Sequence, residues 1–198
     1  MTASPKVLPA YWTNRFPWGT ALAAGLALLV FTSRSLEARM VFERTRILQG
    51  EVWRLWTGNW VHFSPSHLLW NLAVLIPAGA WAEQLAPDRT RRFFLFAPFI
   101  IGGTLLLVDP SLARYGGLSG LAAGLLVLLA LEQISHGLPD RWFWWAVLAL
   151  LGLKVAVEFS AGRTLLARFS DPALHPAPLA HVAGIFAAML GRFRRRRI

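Results

Sequence analysis

The stretch RYGGLSGLAAGLL, residues 114–126, sets one serine, Ser119, among Gly116, Gly117, Gly120 and Gly124 at the start of an apolar run. Serine adds nothing to burial, and a glycine in a helix interior costs roughly 1 kcal/mol against alanine. A helix written this way favours close backbone approach over intrinsic strength. Gly120 and Gly124, four apart, share one face, and small residues at that spacing let two membrane helices pack tightly. A matching face, His181, Gly184 and Ala188, recurs near the C-terminus.

Working outward, the chain has 198 residues, 56% of them hydrophobic, with its charges confined to a few places. That pattern departs from an ordinary soluble domain. Apolar runs predict spans at about 18–32, 66–84, 93–108, 117–133, 142–157 and 177–191. Several fall short of the ~20 residues that cross a bilayer, and semi-polar flanks extend them. The expectation is an all-α, polytopic membrane protein: a single domain over residues 1–198, folded as a six-transmembrane-helix bundle. No linker, repeat or second domain is visible, and only the two ends and residues 33–62 remain for irregular structure. The first run has an alternative reading as a secretory signal peptide, with Lys6 and Arg15 as its charged flank.

The basic tail RFRRRR, residues 192–197, and the DRTRR link after the second span favour the cytoplasmic side by the positive-inside rule. Six spans then put both termini inside, and the starts of the second, fourth and sixth spans at the outer face. One feature runs against this orientation: the first outer link also carries Arg34, Arg39, Arg44, Arg46 and Arg54, only partly balanced by Glu37, Glu43 and Glu51. The net charge of +10 lies at helix ends, where anionic lipid headgroups are the expected partner and nucleic acid is not. Trp53, Trp56, Trp60 and Trp70 read as an interfacial aromatic belt. With no cysteine, disulfides, thiolate metal sites and a cysteine nucleophile are excluded.

Polar groups inside a bilayer are expensive, and those present mark candidate function. His62, His67 and Asn71 sit at the start of the second span, Ser119 at the start of the fourth, and His181 early in the sixth. All three clusters therefore share a depth, with Ser119 roughly 6 to 8 Å inside the outer boundary. His67 and Asn71 are four apart and stack on one helix face. A hydroxyl becomes nucleophilic when a positioned base takes its proton, which pairs Ser119 with His181. The first-turn amide of Ser119, with Asn71 and His67, would supply donors for a developing oxyanion. No acidic residue reads as lying near His181, since Asp171 falls in an outer loop, so the expectation is a dyad.

Bland readings stand beside this one. A lone membrane serine usually bonds to the preceding turn, a lone histidine is often a satisfied interhelical group, and the His62/His67/Asn71 group also reads as a metal or haem site. A small transporter or a metal or haem membrane protein is the corresponding alternative. Lys154, near the outer end of the fifth span, reads as a snorkelling side chain.

GGLSG at 116–120, HFSPSHLLWN at 62–71 and AHVAG at 180–184 resemble the three signature segments of the rhomboid family of intramembrane serine proteases. The upstream EVWRLWTGNWVHF, with Trp53, Arg54 and Thr57, resembles that family's first outer loop. The resemblance implies a rhomboid-like bundle in which Ser119 is the nucleophile and His181 the base. His67, Asn71 and the Ser119 backbone would form the oxyanion hole. His62, at the mouth of the cleft, Gly117, Gly120, Gly184 and Arg54 are then supporting residues. Arg54 would hold the first outer loop, and Glu83 either matches the family's structural glutamate or is an interfacial carboxylate facing the DRTRR link. No cofactor or metal is implied.

Compact size and RILQGEVWRLWTGNWVHFSPSHLLWNL, residues 46–72, resemble the rhombosortase branch, associated with secreted proteins carrying a C-terminal Gly-Gly motif, a hydrophobic helix and a basic tail. The implied location is a bacterial inner membrane, with the site open to the periplasmic side and a transmembrane segment of another protein as substrate. Many relatives place an aromatic or histidine four residues after the serine, where it packs on the catalytic histidine. Here that residue is Ala123, which implies a slow enzyme or, as the alternative, an inactive rhomboid-like protein that binds transmembrane segments. The outer end of the fifth span and the loop 159–178 are the expected movable elements.

Overall fold

The computed structural model describes residues 15–136, 140–162 and 177–193. Its long helices are α1 (Trp18–Phe31), α5 (Pro65–Leu85), α6 (Pro87–Val108), α7 (Ser119–Ser135), α8 (Arg141–Ala161) and α9 (Pro178–Phe193). Between α1 and α5, where irregular structure was expected, the chain folds into the short helices α2 (Arg34–Met40), α3 (Arg44–Leu48) and α4 (Arg54–Thr57). A two-residue strand β1 (Phe42–Glu43) and a 3-10 turn (Gly58–Trp60) complete this segment. The expected spans were drawn from apolar composition, whereas the helices also take in polar ends such as Asp88–Arg92, because a helix does not stop where hydrophobicity does.

α7 is the central helix. Residues Gly120–Leu125 and Val127–Ala130 are all buried, as a helix apolar on every side must be, and α5, α6, α8 and α9 pack around it. α8 is peripheral, burying among its residues only Trp144, Leu151, Val155 and Glu158. α6 and α8 are each long and apolar enough to cross a membrane, and α1 with α2 forms a pair bent by 113°. α5 is as long as α8 but carries His67, Asn71, Glu83 and Gln84, buried within the protein, which lower its hydropathy. The chain is thus an all-α membrane protein.

Glu83 caps α1. Its carboxylate accepts from the amides of Gly19 (3.1 Å) and Thr20 (2.6 Å) and from the Thr20 hydroxyl (2.7 Å). First-turn amides have no partner within their own helix, and a carboxylate there also meets the positive end of the helix dipole. Of the two readings of Glu83, the structural one is correct; the DRTRR link is met instead by Glu132, which pairs with Arg89.

Two of the first loop's arginines, Arg44 and Arg54, are consumed internally. Arg44 donates to the carbonyls of Leu105, Leu106 and Asp109, which end α6, and to Leu112. Arg54, buried, donates to Ala38 and Val41 carbonyls at 3.0 and 2.8 Å and to Glu51 at 2.6 Å. Thr57 donates to Met40 O at 2.7 Å. The loop is therefore a folded plate resting on α6, where Gly102 admits the Leu55 carbonyl at a distance no side chain would allow.

Candidate active site

The plate holds the segment before Ser119. β1 pairs antiparallel with β2 (Arg114–Tyr115), setting Phe42 opposite Tyr115 and Glu43 opposite Arg114. From there the Tyr115 hydroxyl donates to Gly117 O at 2.8 Å, and the Gly117 and Leu118 amides donate to Gly58 O and His62 Nε2, both at 3.4 Å. Gly117 has φ +138°, a conformation that side chains rarely adopt, and a Cβ there would lie 2.7 Å from His67 Nε2. This is why two glycines stand before Leu118: at Gly117 the loop turns tightly against an imidazole, and at Gly116 a Cβ would lie 2.9 Å from the Val61 carbonyl oxygen.

Ser119 is the first residue of α7, half-buried, with its hydroxyl in contact with the Tyr115 hydroxyl. Tyr115 is a residue of the candidate site that the sequence analysis did not single out. His67 and Asn71, both buried, come from the first two turns of α5, whose start is capped by Ser64 accepting from the His67 amide at 3.1 Å. Asn71 Nδ2 lies beside Gly117 and is buried without a hydrogen-bond partner, a donor left unspent at the mouth of the serine turn.

His62 corrects one expectation. It is 2% exposed, so it lies beneath the serine loop rather than at the mouth of a cleft. Its Nδ1 faces Trp60 O at 3.1 Å and its Nε2 accepts from Leu118. Both ring nitrogens are occupied by backbone, in a geometry that fits a neutral tautomer and leaves no lone pair for a metal.

His181 is brought in by α9. An ideal Cβ on Gly120 would sit 2.6 Å from Ala180 O, and one on Gly184 would overlap the Gly120 carbonyl. The residue after Ser119 and the residue before His181 are thus in backbone contact. His67 is near enough to His181 for the two imidazoles to interact electrostatically. Ser119, His67, Asn71, His181 and Gly117 all lie at the N-terminal ends of α5, α7 and α9 or in the loop between them.

The expectation that no acid approaches His181 is wrong. Glu158, 2% exposed on α8, places Oε2 3.2 Å from His181 Nδ1, and the same oxygen accepts from Lys154 Nζ at 2.8 Å. Lys154 is therefore an ion-pair partner rather than a free snorkelling group. The sequence signal was available in the i, i+4 spacing of Lys154 and Glu158, but nothing in it aimed that pair at α9.

Arg54 supports the site through the loop that holds Gly58. Outside the membrane-spanning helices, the Arg54 guanidinium hydrogen-bonded to Glu51 holds that carboxyl below its ordinary pKa. Asp171, most of the loop 159–178 and the side chains of the basic tail from Arg192 lie outside the described residues.

The model of the rhomboid domain matches residues 49–197, three-quarters of the chain, beginning just before the plate's Arg54 and including every residue of the site. No curated protein matches the chain. Rhomboid proteins are in general intramembrane serine proteases acting on transmembrane substrates. The chain belongs to the rhomboid family.

Proposed function

We propose that the protein is an active intramembrane serine endopeptidase in which Ser119 is the nucleophile and His181 the general base. The observation that carries this reading is the unspent Asn71 donor beside Gly117, in a site whose neighbouring backbone contact joins α7 to α9. Ser119 Oγ attacks the scissile carbonyl, its proton passing to His181. As the C–N bond breaks, that proton goes to the leaving amine, and water then resolves the acyl-enzyme by the same route. Asn71, His67 and the Ser119 amide receive the oxyanion, a role in which removing one donor costs about 10²–10³ in rate. No metal or cofactor takes part.

The long helices are read as six spans with both ends cytoplasmic. Two of the first loop's five arginines weigh less against that orientation than their number implies: Arg44 and Arg54 are bound to backbone carbonyls, so they do not count as free charge favouring the inside. At 1.5 Å per residue the 17 residues of α7 rise roughly 26 Å, against about 30 Å of hydrocarbon, so a serine at its start is recessed below the surface. The substrate is a transmembrane segment, cut near the periplasmic face of a bacterial inner membrane. The helix must unwind locally there, since a helical peptide bond is shielded. By resemblance to the rhombosortase branch, the substrate class is a secreted protein with a C-terminal Gly-Gly-type anchor.

A serine-directed fluorophosphonate should label the purified protein, and Ser119→Ala should abolish labelling. Mass spectrometry of a Gly-Gly-tailed protein co-expressed with parent or Ser119→Ala should then show the tail removed only by the parent. Parent protein that takes up no probe would leave the binding-only reading.

A further inference from the structure

We infer that Glu158 is a positioning residue for His181, so that the site works as a Ser119–His181–Glu158 triad with Lys154 holding the carboxylate in its charged form. This rests on the proposed function. The geometry is specific: Glu158 and His181 belong to different helices, both side chains are buried, and the facing atoms are Oε2 and Nδ1 at 3.2 Å. Nδ1 has no aligned hydrogen bond, so the contact is close without being well directed. Catalytic hydrogen bonds are often loose before substrate binds and tighten in the complex.

The chemistry follows from which nitrogen is engaged. With Nδ1–H turned toward a carboxylate, Nε2 is the nitrogen left to receive the serine proton, and the tautomer is fixed in the productive form. When Nε2 takes that proton the ring becomes an imidazolium, and the adjacent carboxylate stabilises it. No proton need move to Glu158. A buried carboxylate with no counter-charge is strongly disfavoured, and Lys154 on the preceding turn of the same helix removes that objection by donating to the same oxygen at 2.8 Å. The titratable groups facing Glu158 include Lys154 from α8 and His181 from α9, and His67 of α5 interacts with His181 in turn.

The test uses the full-length protein in detergent or liposomes, with a fluorophosphonate as probe, and separates the probe's affinity from its maximal labelling rate. Glu158→Gln keeps shape and removes charge. The maximal rate should fall by about 10²-fold or more with little change in probe affinity, and Glu158→Asp should recover part of it. Thermal unfolding of the same samples corrects for folded protein. If Glu158 only serves the ion pair, Glu158→Gln and Lys154→Met lower the melting temperature alike while the labelling rate per folded molecule stays at the parent level; that result overturns the triad. Should the parent label at Ser119 while Glu158→Gln labels equally fast, the triad fails and the protease reading stands. A parent that shows no Ser119-dependent labelling removes both.

Discussion

Gly184 and Gly120 meet backbone to backbone, and a methyl group on Gly184 would overlap the Gly120 carbonyl. This contact sets the separation of α7 from α9, and with it the reach from Ser119 to His181. Gly184→Ala should therefore cost labelling of Ser119 by a fluorophosphonate at least tenfold, with about 1–3 kcal/mol of lost stability from overpacking. Gly191→Ala, on the same helix but with open space around it, is the control expected to behave as parent. Equal behaviour of the two variants would mean that α9 tolerates displacement.

Gly117 tests the proposed oxyanion side separately. Gly117→Ala forces a Cβ toward His67 Nε2 from a backbone conformation alanine resists. Turnover of a model transmembrane substrate should fall by about 10²-fold, as for loss of one oxyanion donor, while the melting temperature changes little relative to Gly184→Ala.

Ala123 carries a different expectation from the one its sequence position implies. It is 3% exposed within α7, and His181 is already met by Glu158, so a ring added at 123 has neither room nor an orientation defect to repair. Ala123→Tyr and Ala123→His should each destabilise the fold by about 1–3 kcal/mol, and the labelling rate should not rise above parent. A faster Ala123→His would restore the view that the imidazole is poorly held.

At the opposite end of the bundle, Glu83→Gln replaces a charged cap on α1 by a neutral one. Loss of the charge–dipole interaction and of charge-assisted hydrogen bonds should lower stability by about 1–2 kcal/mol. Fluorophosphonate labelling per folded molecule should be unchanged, because Glu83 accepts its hydrogen bonds from Gly19 and Thr20 of α1 and lies far along α5 from His67.

The pH response of the plate follows from Glu51. Its pKa is lowered in the folded protein by the Arg54 hydrogen bond, so it contributes stability above the unfolded glutamate value of about 4.3, and that contribution disappears as pH falls through the lower folded value. Proteolysis within residues 33–62 should accordingly stay slow from neutral pH to about 5 and accelerate below about 4. Glu51→Gln should flatten this rise. An unchanged acid response in Glu51→Gln would show that another carboxylate anchors the loop.

Much of this was legible in the chain because the relevant residues announce themselves locally. Gly117, Gly120 and Gly184 stand where backbone closeness is needed, and the paired spacing of His67 and Asn71 puts both on one side of α5. Other parts depend on tertiary approach and leave no local mark. Arg44 looked like a stray positive charge, yet its partners are carbonyls more than sixty residues away at the end of α6. Tyr115 became part of the site only through the strand pairing that docks it on Phe42. Glu158 is another case: a periodicity that finds helix faces does not say which neighbour a face will meet, so its approach to His181 was missed.

The carboxylate that meets the imidazole rides on α8, a long helix that buries only four of its residues among those described, Trp144, Leu151, Val155 and Glu158 itself. If a substrate is admitted by tilting α8 outward, the same movement withdraws Glu158, and the base loses its counter-charge at the moment the passage widens. On the proposed triad, the site would then be competent only with α8 packed back against α9. Pinning α8 to α9 with an introduced cysteine pair, clean in a chain without cysteine, should raise reactivity toward a small phosphonate while blocking a full transmembrane substrate.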